Sequence, residues 1–137
     1  MIRLGAGPLD RVVAAGAHCD DIAIGAGGTL LTLCLARPGV RVDALVLSGG
    51  GSEREQEEQA ALAAFCPGAD LRLTVLKLPD GRMPAHWEEA KAAVEELRLQ
   101  TEPDLVLAPR TDDAHQDHRG LAKLVTTAFR DHLVLRY

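Results

Sequence analysis

The sequence predicts a doubly wound α/β fold, and three observations carry that expectation. Short β-branched runs alternate with segments of helical periodicity, the pattern of βαβ units around a parallel sheet. The chain has 137 residues, enough for one hydrophobic core, so residues 1–137 are expected to form a single domain. Hydrophobic residues make up 47% and charged residues 26%, ordinary proportions for a globular chain. The expected architecture is a Rossmann-like parallel sheet with flanking helices. Its site should lie at the carboxyl ends of strands one and four.

The elements follow in order. Arg11–Ala15 reads as a first buried strand. Thr29–Ala36 reads as a helix, opened by Gly25, Gly27 and Gly28 and stopped by Pro38-Gly39. Val42–Leu47 is a second strand, followed by Gly49-Gly50-Gly51-Ser52. Ser52 can cap the next helix, whose first turn carries Glu53 and Glu55, favourable at a positive helix N-terminus. That helix ends near Cys66-Pro67-Gly68, and Leu71–Leu76 is a third strand. Pro79-Asp80-Gly81 is a turn. From Pro84 to Gln100 the apolar positions Trp87, Ala90, Val94 and Leu97 repeat at three and four, a helix with one buried face. Glu102-Pro103 stops it. Asp104–Ala108 is a fourth strand and His118–Arg130 a fourth helix, with Leu121, Leu124, Val125 and Phe129 inward. His132–Tyr137 begins a fifth strand.

Composition excludes several classes. A net charge of −5 with no Lys/Arg cluster is wrong for a nucleic-acid surface, and 3% aromatic content offers no stacking platform. The longest apolar stretch, Leu30–Ala36, is too short to span a bilayer, and Met1–Asp10 has no apolar leader core. Cys19, Cys34 and Cys66 are an odd number without CxxC spacing, as expected of reduced, packed thiols in a cytoplasmic protein.

Two polar clusters interrupt the apolar patterning: Ala17-His18-Cys19-Asp20-Asp21 after strand one and Asp112-Asp113-Ala114-His115-Gln116-Asp117-His118 after strand four. In the doubly wound order 3-2-1-4-5 these strands are neighbours, and the crevice beyond their carboxyl ends is where ligands bind. The two clusters should therefore meet. Histidine nitrogen and carboxylate oxygen suit zinc, whose catalytic sites keep three protein ligands and one open position. His18 and Asp21 are close enough to share an ion, and a histidine of the second cluster would complete the set. Such a zinc lowers the pKa of its water from about 15.7 to roughly 7. A leftover carboxylate can act as base, and a leftover His-Asp pair can stabilise an oxyanion or protonate a leaving amine, the carboxylate fixing the imidazole tautomer.

These residues resemble the LmbE-like, or PIG-L, family of zinc-dependent N-acetylglucosaminyl deacetylases. Ala17-His18-Cys19-Asp20-Asp21 is similar to the family's A-H-P-D-D, and His115-Gln116-Asp117-His118 to its H-x-D-H. Arg54-Glu55-Gln56-Glu57 resembles its R-x-x-E helix start, and Pro79-Asp80-Gly81-Arg82 its P-D-G-R turn. The resemblance implies zinc on His18, Asp21 and His118, with Asp20 as general base. It implies that His115, oriented by Asp117, polarises the carbonyl or protonates the amine. Arg54 and Asp80 would contact an N-acetylated amino-sugar substrate. Cys19 stands where the family has proline, which returns a backbone N–H and a free φ. Family members also continue past His132–Tyr137, so a second copy or a partner chain could cover the final strand edge.

Each residue alone has a plainer use. Asp20 or Asp21 could cap a helix, Asp80 could only form its turn, and Arg54 could belong to a solvated charge face. Asp112 and Asp113 read as solvated turn residues, and Trp87 as core. Gly25–Gly28 lacks the G-x-G-x-x-G spacing of a dinucleotide loop. Iron(II) accepts the same His-Asp-His ligation, as in the facial triad of oxygenases, although those typically use a β-barrel. A catalytically incomplete metal-binding or assembly subunit is the alternative to an active deacetylase.

Overall fold

The computed structural model describes residues 7–137, so most of the stretch Met1–Asp10, where no apolar leader core was expected, lies outside the described residues. Strands β1 (Arg11–Gly16), β2 (Arg41–Val46), β3 (Asp70–Val75), β4 (Leu105–Ala108) and β5 (Val134–Arg136) form one parallel sheet in the order β3-β2-β1-β4-β5. The α-helices are α1 (Asp21–Ala36), α2 (Glu53–Phe65), α3 (Trp87–Gln100) and α4 (Gln116–Ala128), with a 3-10 turn at Met83–His86 leading into α3. This is the predicted fold and strand order. Among the described residues no helix is long and apolar enough to cross a membrane.

Successive strand residues face opposite sides of a sheet, so strands covered on both faces read as unbroken apolar runs. Val12 and Ala14 of β1 join Val42, Leu105 and Leu107 against Ile22, Leu30 and Leu62 of α1 and α2. Val13 and Ala15 join Leu45 and Val106 against Val94 of α3 and Leu121 and Val125 of α4. β1 is buried from Val12 to its end, and the loop after it leaves the centre of the sheet.

Three expectations about elements need correction. The first helix starts at Asp21, not near Thr29, so Gly25, Gly27 and Gly28 lie inside it. A glycine inside a helix costs about 1 kcal/mol against alanine, and close packing explains two of these. A Cβ on Gly27 would stand 3.0 Å from the Phe65 ring of α2, and one on Gly25 would overlap the ring of Tyr137. The fourth helix starts at Gln116, two residues before His118. Trp87 is 38% exposed rather than core. It is the first residue of α3, and the buried face of that helix begins only at Ala90. Ser52 does cap α2, accepting from the Arg54 N–H at 3.2 Å, and all three cysteines are buried and free.

Candidate active site

The two polar clusters meet where β1 and β4 lie side by side. The loop after β1 turns tightly into α1, and the Asp21 carboxylate folds back so that Oδ2 accepts the Ala17 and His18 N–H groups at 3.0 and 2.9 Å. His118, in the first turn of α4, brings Nε2 to 3.1 Å from that oxygen and 3.2 Å from His18 Nδ1. His18 Nδ1 is 3.5 Å from Asp21 Oδ2. Donors bound at about 2.0–2.1 Å around tetrahedral zinc stand about 3.3 Å apart, so these three are spaced as ligands of one ion. Two nitrogens and one carboxylate oxygen are also the donor types zinc takes.

Carboxylates back both rings. His118 Nδ1 lies 3.1 Å from Asp113 Oδ1, which also accepts the His115 N–H at 2.7 Å. His18 Nε2 lies 2.9 Å from Asp117 Oδ2 and 3.1 Å from Asp80 Oδ1. A carboxylate on the far nitrogen fixes the tautomer and orientation of a ligating imidazole. Hydrogen bonding to Asp21, helped by Asp117 and opposed by burial, raises the His18 pKa to about 9. Burial opposes the charge on Asp21, but hydrogen bonds from His18 outweigh it and hold that carboxyl below its ordinary value.

Asp117 does not present its carboxylate to His115. It is fully buried and accepts the Gly81 and Met83 N–H groups at 2.8 and 3.1 Å in addition to His18. It reaches His115 through its backbone instead, donating its N–H to Nδ1 at 3.1 Å. An accepting Nδ1 leaves the neutral ring's proton on Nε2, so the tautomer is set by a helix-capping contact. The His115 and His118 rings stack with centroids 4.8 Å apart, and His18 meets His115 edge-on at 4.7 Å.

Asp20 occupies the N-cap position of α1 without using its side chain as a cap. Its carboxylate accepts from Arg54 at 2.9 Å, and the same guanidinium donates to the Cys19 carbonyl at 3.1 Å. Arg54 and Asp20 are about half exposed, and Asp80 is mostly exposed on its turn. Beside Asp21 and His118 a hollow of about 160 Å³ is lined by Ile24, Pro109 and Tyr137.

Two residues escaped the sequence reading. Asp113 is no idle turn residue, because it holds His118. Its only sequence signal was a carboxylate five positions before a candidate ligand. Glu58 is 1% exposed and accepts the Asp20 N–H at 2.6 Å. Burial pushes its carboxyl above its ordinary value. Its neighbour Glu57, the glutamate of the R-x-x-E resemblance, pairs with Arg54 at the surface.

A family model described as GlcNAc-PI de-N-acetylase, PIG-L, matches residues 13–129. The chain belongs to this family. Among solved structures, N,N'-diacetylchitobiose deacetylase from Pyrococcus horikoshii matches this PIG-L chain with a TM-score of 0.70 and 25% identity over 89% of the chain and 50% of its own. The conserved protein TT1542 from Thermus thermophilus matches at 0.64 and 31%, over 89% and 56%. The hydratase GalB from Pseudomonas putida matches at 0.70 and 20%, over 89% and 56%, a likeness of fold alone. The PIG-L chain spans about half the length of these structures. One fold thus carries more than one reaction, and activity must be argued from the site.

Proposed function

We propose that this PIG-L chain hydrolyses the N-acetyl amide of a GlcNAc-type sugar or sugar conjugate, using a metal ion held by His18 Nδ1, Asp21 Oδ2 and His118 Nε2. The observation that carries the proposal is the 3.1–3.5 Å spacing of these donors, drawn from segments nearly a hundred residues apart. Zinc there would activate a water and polarise the acetyl carbonyl, and iron(II) accepts the same ligands. The likeness to a chitobiose deacetylase supports the choice of amide.

The roles divide by position. Asp20, next to a ligand yet outside the ligand set, takes the proton of the attacking water. His115, with Nδ1 occupied by a backbone N–H, offers Nε2–H to the carbonyl oxygen as charge builds there and to the departing amine nitrogen afterwards. Asp117 holds His18 in place and joins the Asp80 turn to the metal loop through the Gly81 and Met83 amides. Arg54 and Asp80, both exposed at the rim, contact sugar hydroxyls.

Bound metal is measured by elemental analysis in the wild-type chain and in His18→Ala and His118→Ala, and the same samples are assayed for acetate release from N-acetylglucosamine conjugates. The expected result is about one zinc or iron per chain, lost in both variants, with acetate released only by the wild type. A folded wild-type chain that binds no metal refutes the proposal. Metal without acetate favours the second reading, a metal-binding or assembly subunit.

A further inference from the structure

We infer that Glu58 is a positioning residue that fixes Asp20, an inference that rests on the general-base role proposed above. Asp20 has φ 89°, and among the described residues it is the only non-glycine with positive φ. Side chains seldom adopt that backbone, and it persists only where neighbours hold it. Here the Cys19–Asp20 peptide is held at both ends by residues one helical turn apart on α2. Arg54 donates to the Cys19 carbonyl at 3.1 Å, and Glu58 accepts the Asp20 N–H at 2.6 Å.

A helix commonly receives this second contact from a glutamate in its own first turn, reaching back to the N–H of the capping residue. In α1 the third position is Ala23, which cannot do so, and Glu58 supplies the acceptor from another helix. The left-handed turn also separates the two aspartates. Asp21 folds back onto the Ala17 and His18 amides, while the Asp20 carboxylate is held by Arg54. The direction of the Asp20 carboxylate therefore depends on the peptide that Glu58 holds. Glu58 is 1% exposed, and its Oε1 has no partner among the described residues, while Oε2 takes that N–H.

The test compares Glu58→Gln, which keeps an acceptor of the same length, with Glu58→Asp, which keeps the charge but is one methylene short. In wild type and Glu58→Gln the Asp20 amide should resonate downfield and exchange slowly in ¹⁵N spectra, and kcat should agree within about threefold. In Glu58→Asp that amide should lose its protection and kcat fall about 100-fold, a loss that misplacement by about 1 Å can cause. KM and bound zinc should stay within about twofold, which separates lost positioning from a lost ligand set. Full kcat in a folded Glu58→Asp, or loss in Gln with retention in Asp, overturns the inference. So does kcat falling only together with zinc. If the zinc-loaded wild type releases no acetate, the deacetylase reading fails instead, and the Asp20 amide alone decides about the clamp. Fast exchange of that amide in the wild type overturns it whether or not either variant folds.

Discussion

Removing the Asp113 carboxylate should weaken metal binding without unfolding the protein. Asp113 Oδ1 receives two contacts, His118 Nδ1 at 3.1 Å and the His115 N–H at 2.7 Å. In Asp113→Ala the His118 ring loses the group that sets its tautomer and rotation, and Nε2 is no longer held toward Asp21. Loss of such a partner typically costs 10–100-fold in metal affinity, about 1.4–2.7 kcal/mol. Stability of the metal-free protein should change by less than about 1 kcal/mol, because the Asp113 side chain is 30% exposed and water can take over its donors. Asp113→Asn keeps one acceptor oxygen and should fall between wild type and alanine. Zinc affinity is read by competition with a chromophoric chelator at fixed pH, and Asp112→Ala, whose carboxylate pairs with Arg110, is the control. An alanine variant that binds zinc within about twofold of wild type would refute the idea that Asp113 orients a metal-binding His118.

Three further outcomes are expected. Gly25→Ala should displace the Tyr137 ring and its hydrogen bond to the Ala15 carbonyl, lowering stability in urea by about 1–2 kcal/mol net of the improved helix propensity. A stabilised variant would mean that the ring is readily spared. Cys19, Cys34 and Cys66 are buried, and burial pushes the Cys66 thiol up to about 12, so a thiol reagent should label none in the native chain and all three in denaturant. The His18 pKa of about 9 lies above its ordinary 6.5, so its ion pairing contributes stability to the metal-free protein that is complete below about 6.5 and lost as pH rises through about 9. Chelator-treated wild type should thus lose more stability between pH 7 and pH 10 than His18→Asn. Zinc affinity should move the opposite way, rising toward pH 9 as that proton is released.

Much of this protein is legible without coordinates. Strand order, the burial of β1 and the meeting of His18 and Asp21 with the second polar cluster follow from two signals, the alternation of apolar periods and the position of polar clusters at strand ends. The choice of His118 within that cluster came from the family resemblance. Both signals are local or topological, and a linear chain carries them openly. The tertiary structure alone decided finer matters. It started α1 at Asp21, because Gly25 and Gly27 serve close approach to Tyr137 and Phe65 rather than breaking the helix. It turned the Asp117 carboxylate to His18 and left His115 to a backbone N–H, since the Gly81 and Met83 amides approach Asp117 from a segment more than thirty residues away. It also singled out Asp113 over Asp112 and Glu58 over Glu57. Adjacent residues of the same type are indistinguishable by composition or spacing. They differ only in which side of a loop or helix faces the site, and a hydrogen bond a few ångströms long is settled by that rotation.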